Sequence, residues 1–272
     1  MRIKHYLITR WSNVHGHVMP KDFLSEERLS KKLTLYKNYT YRSLQAQTNK
    51  NFTSILVVHD DIPINILKEL KALSKESSFL KVVKHTEYKG IETTKYIQKE
   101  IEFEDYEFLV TSRLDDDDML YCNGIKDIQD SINENTLIKY FGFENGCTLD
   151  LSTGEYFKFN RKSKVGMIGI GVSMVVNLKK YGILPYSVYH AKHSTLREDF
   201  LQNRIKELNK VYPLPQKYLD STDFWEPKKT SFPAWVYIRH PQSKSTAIGR
   251  GIHYTNIAIN EEVIHEKFLQ YS

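Results

Sequence analysis

Residues 106–118 run Tyr106-Glu107-Phe108-Leu109-Val110-Thr111-Ser112-Arg113-Leu114-Asp115-Asp116-Asp117-Asp118, a β-rich stretch that leads through Ser112-Arg113-Leu114 into four aspartates. The first six residues predict a strand, Tyr106 to Thr111, because aromatic and β-branched residues fill it and no turn residue interrupts it. Phe52 to His59 repeats the arrangement: a continuous β-rich run that stops at Asp60-Asp61. Two acidic clusters therefore stand just beyond the carboxyl ends of two predicted strands. In open α/β sheets that is where ligands bind.

The flanking sequence fits such a sheet. Ile3 to Thr9 predicts a first strand, and Glu26 to Gln47 a helix. Pro63 suits the first turn of a helix that carries Ile66, Leu67, Leu70 and Leu73 on one face. Phe79 to Lys84 is a third strand and Thr94 to Glu102 a third helix. Strands alternating with helices predict an α/β fold with a mostly parallel central sheet and flanking helices. Beyond a short helix with Ile125, Ile128 and Ile132, the pattern changes. Leu137–Phe143, Cys147–Leu151 and Glu155–Asn160 predict a small antiparallel meander, with Asn145-Gly146 and Thr153-Gly154 at its turns. An apolar run from Ile170 to Val176 follows, then a helix from Arg197 to Leu208 and a terminal amphipathic helix from Glu261 to Tyr271. The whole of 1–272 is expected to be one domain, its last part covering the sheet edge.

Length and composition agree. A chain of 272 residues, 40% hydrophobic and 26% charged, can bury a sizeable core and excludes disordered and fibrous classes. No apolar run approaches the roughly 20 residues of a membrane-spanning helix. The apolar stretch near the start, Tyr6 to Ile8, is too short for a secretory signal. Cys122 and Cys147 cannot build a disulfide framework or a zinc site alone, so a cytoplasmic setting is expected. The net charge of +6 favours polyanionic partners, which include an anionic inner-membrane face. The basic residues are dispersed, however, and no nucleic acid is expected as partner.

Four adjacent carboxylates repel one another, by about 1 kcal/mol per pair at ~4 Å in water and roughly 4 kcal/mol at an effective dielectric near 20. A cation or bound protons must offset that cost in a cleft. Oxygen ligands without a nearby histidine suit a hard divalent ion, Mn²⁺ or Mg²⁺, which keeps positions open for phosphate oxygens. The competing explanation is a helix cap with solvated neighbours. A calcium loop is disfavoured, since Met119 or Leu120 meets its third position and its glycine is missing. Gly166 to Ser173 also fails as a phosphate loop, because Val172 stands where a lysine is needed.

Arg113-Leu114-Asp115-Asp116-Asp117-Asp118 resembles the DxD region of GT-A-fold nucleotide-diphospho-sugar glycosyltransferases, and more narrowly that of bacterial rhamnosyltransferases. Arg42-Ser43-Leu44-Gln45-Ala46-Gln47-Thr48, ahead of the Phe52 strand, is similar to a helix-to-strand segment of glycosyltransferase family 2. Glu198-Asp199-Phe200-Leu201 resembles that family's later E-D segment, and Trp235 to Ser245, with Arg239-His240, its terminal R-H segment. The matches keep their order over about residues 3 to 245.

The resemblance implies a nucleotide-binding half, 1–118, and an acceptor-side half, 119–272, with a C-terminal extension. It implies a donor such as a UDP- or dTDP-sugar, with a rhamnosyl group as the family's suggestion, and a glycan or glycolipid acceptor from a surface polysaccharide such as lipopolysaccharide or capsule. Asp115 would face ribose or metal and Asp117 would ligate the metal, while the four-residue run leaves the register of Asp116 and Asp118 open. Asp60 or Asp61 would accept hydrogen bonds from base or ribose, with Thr9 and Arg10 lining the same pocket. Arg113 would bind a phosphate or pair with an aspartate. Asp199 is the candidate general base of an inverting transfer, although a carboxylate at a helix N-terminus has a plain electrostatic explanation. His240 would complete the metal site or contact the diphosphate beside Arg239, with His190 and His193 as competitors. A metal-dependent phosphotransferase or nuclease, or a non-catalytic glycan- or nucleotide-binding module, are the alternatives.

Overall fold

The computed structural model describes residues 1–12, 22–85, 105–159, 169–182, 187–190, 205–206, 209–210, 213–220, 224–240 and 254–269, with the side chains of 190, 218, 225 and 254–257 excepted. Its centre is strand β1 (Ile3–Arg10), flanked on one side by β2 (Thr53–Val58) and β3 (Leu80–Lys84) and on the other by β4 (Phe108–Arg113), all parallel. Both faces of β1 are buried, and its middle, Tyr6 to Ile8, is continuously apolar, with His5 and Thr9 buried on either side. Alternation sends Ile3, Leu7 and the following Trp11 into the main core, and Tyr6 and Ile8 into a smaller cluster with Ile55, Val57 and Leu109.

Helix α1 (Glu26–Leu35) starts at Ser25, whose hydroxyl accepts the Arg28 N–H, and buries Leu29 and Leu33. It continues through a π-helical segment, Tyr36–Tyr41, into α2 (Arg42–Gln45), so the single helix expected from 26 to 47 carries a widened turn and ends near its expected limit. Helix α3 (Ile64–Glu76) follows Pro63 and buries Ile66, Leu67, Leu70 and Leu73, as the spacing predicts. The expected helix 94–102 lies outside the described residues, as does most of 197–208.

The expected meander is where the structure departs. Strand β5 (Met119–Leu120) directly follows the aspartates, and helix α4 (Gly124–Asp130) comes next. Strand β6 (Ile138–Phe143) joins the main sheet, whereas β7 (Cys147–Asp150) and β8 (Glu155–Phe159) form a hairpin in a second sheet. The reason is that both edges of β6 are taken, one by β9 (Ser173–Asn177), which inserts antiparallel between β4 and β6, and the other by a strand at 225–228, leaving β7 no ladder there. Asn145-Gly146 is consequently a crossing between sheets and not a hairpin turn. Its glycine is required because a Cβ at 146 would stand 2.1 Å from the Trp235 ring. Thr153-Gly154 does turn the β7–β8 hairpin, with Gly154 at φ +75.

Strand β10 (Trp225–Lys228) extends the main sheet beyond β6, giving the order β10-β6-β9-β4-β1-β2-β3. Strands β11 (Trp235–Arg239) and β12 (Tyr254–Ala258) complete the second, β12-β8-β7-β11-β5. Since β9 alone runs against the other described strands of the main sheet, that sheet is mostly parallel, as expected. The terminal helical segment, described through Leu269, closes the core with Ile264 and Phe268. No helix among the described residues is long and apolar enough to cross a membrane.

A directional hydrogen-bond chain lies under the carboxyl end of β4. The Gln129 amide can only donate to His5 Nδ1 (3.3 Å), so Nε2 carries the ring proton and donates to Ser112 Oγ (2.6 Å). Ser112 then bonds Ser173 Oγ (2.6 Å), and Ser173 donates to the Gly171 carbonyl (3.1 Å). Burial lowers the His5 pKa to about 3, so the ring is neutral.

Candidate active site

Strands β1, β2 and β4 end at one edge of the main sheet. There the backbone of Arg113 is held in both directions: its N–H donates to Val172 O (2.9 Å) and its carbonyl accepts from Gly171 N–H (2.8 Å). Buried Leu114 and Met119 anchor the chain on either side of the aspartates. Between them the Asp118 N–H reaches the Asp115 carbonyl (3.3 Å), and the four aspartates form a turn that bridges the two sheets.

A turn cannot aim consecutive side chains in one direction, and the four carboxylates separate accordingly. Asp115 is paired with Arg113, whose NH2 group lies 3.1 and 3.0 Å from its two oxygens. Asp116 is buried against Lys32 of α1, at 2.9 Å. Asp118 is buried beneath β11 and accepts the Ile238 N–H (3.3 Å). Desolvation raises the carboxyl pKa of both buried residues, Asp116 to about 7 despite Lys32, with neighbouring carboxylates adding to the shift. Asp116 and Asp118, whose register between donor and metal was open, are therefore both already committed to the interior.

Asp117 is the carboxylate left facing His240. Its Oδ2 stands 2.9 Å from His240 Nε2, across 123 residues of sequence. Among the described residues no group of three or more His, Cys, Asp or Glu is placed to hold a metal ion. The donor chemistry nevertheless fits one. A carboxylate and an imidazole at a sheet-end turn, with Asp115 still 42% exposed, would hold Mn²⁺ or Mg²⁺ by two protein ligands and leave sites for phosphate oxygens. The imidazole favours Mn²⁺.

The other expected residues divide. Arg10 and Arg113 share one face of the sheet and converge on the ring of Tyr189, their guanidinium carbons 4.3 and 5.3 Å from its centroid. Thr9 does not join them, because the pleat turns it to the opposite face, where it is fully buried. Asp60 and Asp61 form a turn at the end of β2, with the Lys84 ammonium on the Asp60 carbonyl (2.7 Å) and the Asp61 carboxylate 83% exposed. Arg239 is directed to Asp150 at the end of β7, 3.4 Å away. His193 and Asp199 lie outside the described residues.

Three contributors were not singled out from sequence. His59 accepts the Asp61 N–H at Nδ1 (3.0 Å) and shapes the β2 turn. Gln47 donates to the Leu120 and Tyr121 carbonyls (3.3 and 2.8 Å) and accepts the Ile125 N–H (3.0 Å), fastening the chain as it leaves the aspartates. Tyr189 is the third. Gln47 lies within the quoted family segment, which was the one available signal; a tyrosine among 18 carried none.

A family model described as "Putative rhamnosyl transferase" matches residues 21–196, more than half of the chain. Among solved structures, the chain is similar to S. aureus TarS 1-349 in complex with UDP, with 12% identity, a TM-score of 0.41, and coverage of 89% of this chain and 61% of that one. It is also similar to S. aureus TarS, with 14% identity, a TM-score of 0.40, and coverage of 89% and 37%. A third is a putative nucleotide-diphospho-sugar transferase from Desulfovibrio desulfuricans G20, with 10% identity, a TM-score of 0.39, and coverage of 84% and 80%. The chain thus spans less than two thirds of these two TarS structures. No curated protein matches it.

Proposed function

Since the chain belongs to the family described as "Putative rhamnosyl transferase", we propose that it moves a sugar, with rhamnose as the family's suggestion, from a nucleoside-diphosphate donor to a hydroxyl of a surface-glycan precursor. The observation that carries the donor site is the 2.9 Å approach of His240 to Asp117 at the carboxyl edge of the main sheet. Two residues so far apart in sequence meet where α/β sheets bind ligands, next to two arginines suited to phosphate.

Asp117 and His240 would hold Mn²⁺ or Mg²⁺, which supplies Lewis-acid stabilisation of the departing diphosphate. Arg10 and Arg113 draw the diphosphate to the strand ends. Asp115 keeps the Arg113 guanidinium aimed and is exposed enough to meet a ribose. The Asp60–Asp61 turn offers acceptors to the base. In the transfer the acceptor oxygen forms a bond to the anomeric carbon, the bond from that carbon to the diphosphate oxygen breaks, and its electron pair leaves with the diphosphate. The acceptor's proton passes to a carboxylate, for which Asp199 is the candidate. Inversion follows from attack opposite the leaving group. The positive charge balance suits an acceptor presented at an anionic inner-membrane face, with the protein peripheral to it on the cytoplasmic side.

A panel of nucleotide sugars, UDP- and dTDP-linked, assayed with Mn²⁺ for hydrolysis and for transfer, tests the proposal. Turnover of one donor that Asp117→Ala abolishes supports it. Failure of every donor, or turnover indifferent to Asp117, overturns it.

A further inference from the structure

Tyr189 stands where β1 and β4 end, and no role in the site has been assigned to it. Ile8 and Arg113 are partners in the parallel register, and Arg10 lies one pleat beyond Ile8, so both guanidinium groups emerge on one face of the sheet. Tyr189 crosses that face. Its hydroxyl donates to the Ile8 carbonyl (2.9 Å), and its ring lies under Arg10 at 4.3 Å and Arg113 at 5.3 Å. The ring is itself held, because the Val188 N–H donates to Thr111 Oγ1 (3.0 Å) on the same face of β4.

Two guanidinium groups this close repel. The Asp115 carboxylate compensates at Arg113, and the electron-rich ring face offers a contact to both cations. Arg113 would keep its fork to Asp115 without the ring, whereas Arg10 would lose the surface it lies on. We infer that Tyr189 is a positioning residue that sets Arg10, together with Arg113, for a nucleoside diphosphate. This inference rests on the donor site proposed above. Tyr189 acts through the arginines: its ring lies against both guanidinium groups, and its hydroxyl also bonds to Arg10.

Calorimetric titration of UDP and dTDP with Mn²⁺ into wild type, Tyr189→Phe and Tyr189→Leu, each with and without Arg10→Ala, tests it. Tyr189→Phe keeps the ring and should bind within about threefold of wild type, while Tyr189→Leu should bind about tenfold more weakly. In the Arg10→Ala background the leucine should add less than about twofold, the coupling expected of residues that act as one unit. Donor KM should rise in Tyr189→Leu with kcat nearly unchanged. A full leucine penalty that persists without Arg10 would mean direct contact with the ligand, and would overturn the inference. So would equal binding by all three Tyr189 forms, or a loss that follows a fall in melting temperature in both substitutions. Wild type that binds neither nucleotide would overturn the donor site itself, and this inference with it.

Discussion

Lys32 of α1 and Asp116 of the aspartate turn meet at 2.9 Å, and the contact fastens the first helix to the acidic segment 84 residues later. It also withdraws one of four adjacent negative charges from the open edge of the sheet.

Removal of the lysine should raise the Asp116 pKa further, so that the buried carboxyl takes up a proton at neutral pH. Lys32→Met is expected to destabilise the fold by about 1–2 kcal/mol, the cost of a buried polar group that loses its partner. Lys32→Met combined with Asp116→Asn should recover much of that loss. Chemical denaturation of the single and double variants measures the coupling, and simple additivity would show that the pair does not act as one.

Asp117 and Asp118 are neighbours with different duties. UDP together with Mn²⁺ should raise the melting temperature of wild type and of Asp118→Asn, because asparagine can still accept the Ile238 N–H. The shift should vanish in Asp117→Ala and in His240→Ala. Equal losses in Asp117→Ala and Asp118→Asn would place the ion between the two carboxylates.

Acid should weaken the fold through His5. Its folded pKa is lowered by burial to about 3, against 6.5 for the free side chain. Below pH 6.5 the unfolded chain takes up a proton that the folded chain refuses, so stability is full above 6.5 and falls as pH decreases toward 3. The slope from this group is about 1.4 kcal/mol per pH unit. Urea unfolding at pH 7.5 and pH 5 should show a difference that is smaller in His5→Gln, which lacks a titrating ring.

Gly146→Ala should cost about 1–3 kcal/mol, the usual range for overpacking a core. The new methyl would overlap the ring of Trp235, whose indole N–H donates to the Phe143 carbonyl (3.1 Å). A wild-type unfolding midpoint in the alanine variant would contradict the close approach.

Much of the main sheet is legible in the order of residues. Strands β1, β2 and β3 fall within about a residue of their expected bounds and β4 about two residues later, and α3 buries its expected stripe, because hydrophobic period and turn chemistry are local properties of the chain. The meander was misjudged for a reason equally physical. Adjacent β-rich runs joined by Asn-Gly look like a hairpin unless something takes their ladder, and the two competitors, β9 and β10, are both more than 20 residues away in sequence.

The aspartates show the same division at the site itself. Their number, their position after an apolar strand and the likeness of the surrounding segments are contained in residue order, and they suffice to locate the edge of the sheet at which a donor would bind. Which of the four faces that edge is not contained there. Lys32, Ile238, Arg113 and His240 each claim one carboxylate, and three of these four come from remote parts of the chain. Identical side chains in a row are chemically equivalent until packing gives each its own desolvation and its own partner, and packing is a property of the folded chain alone.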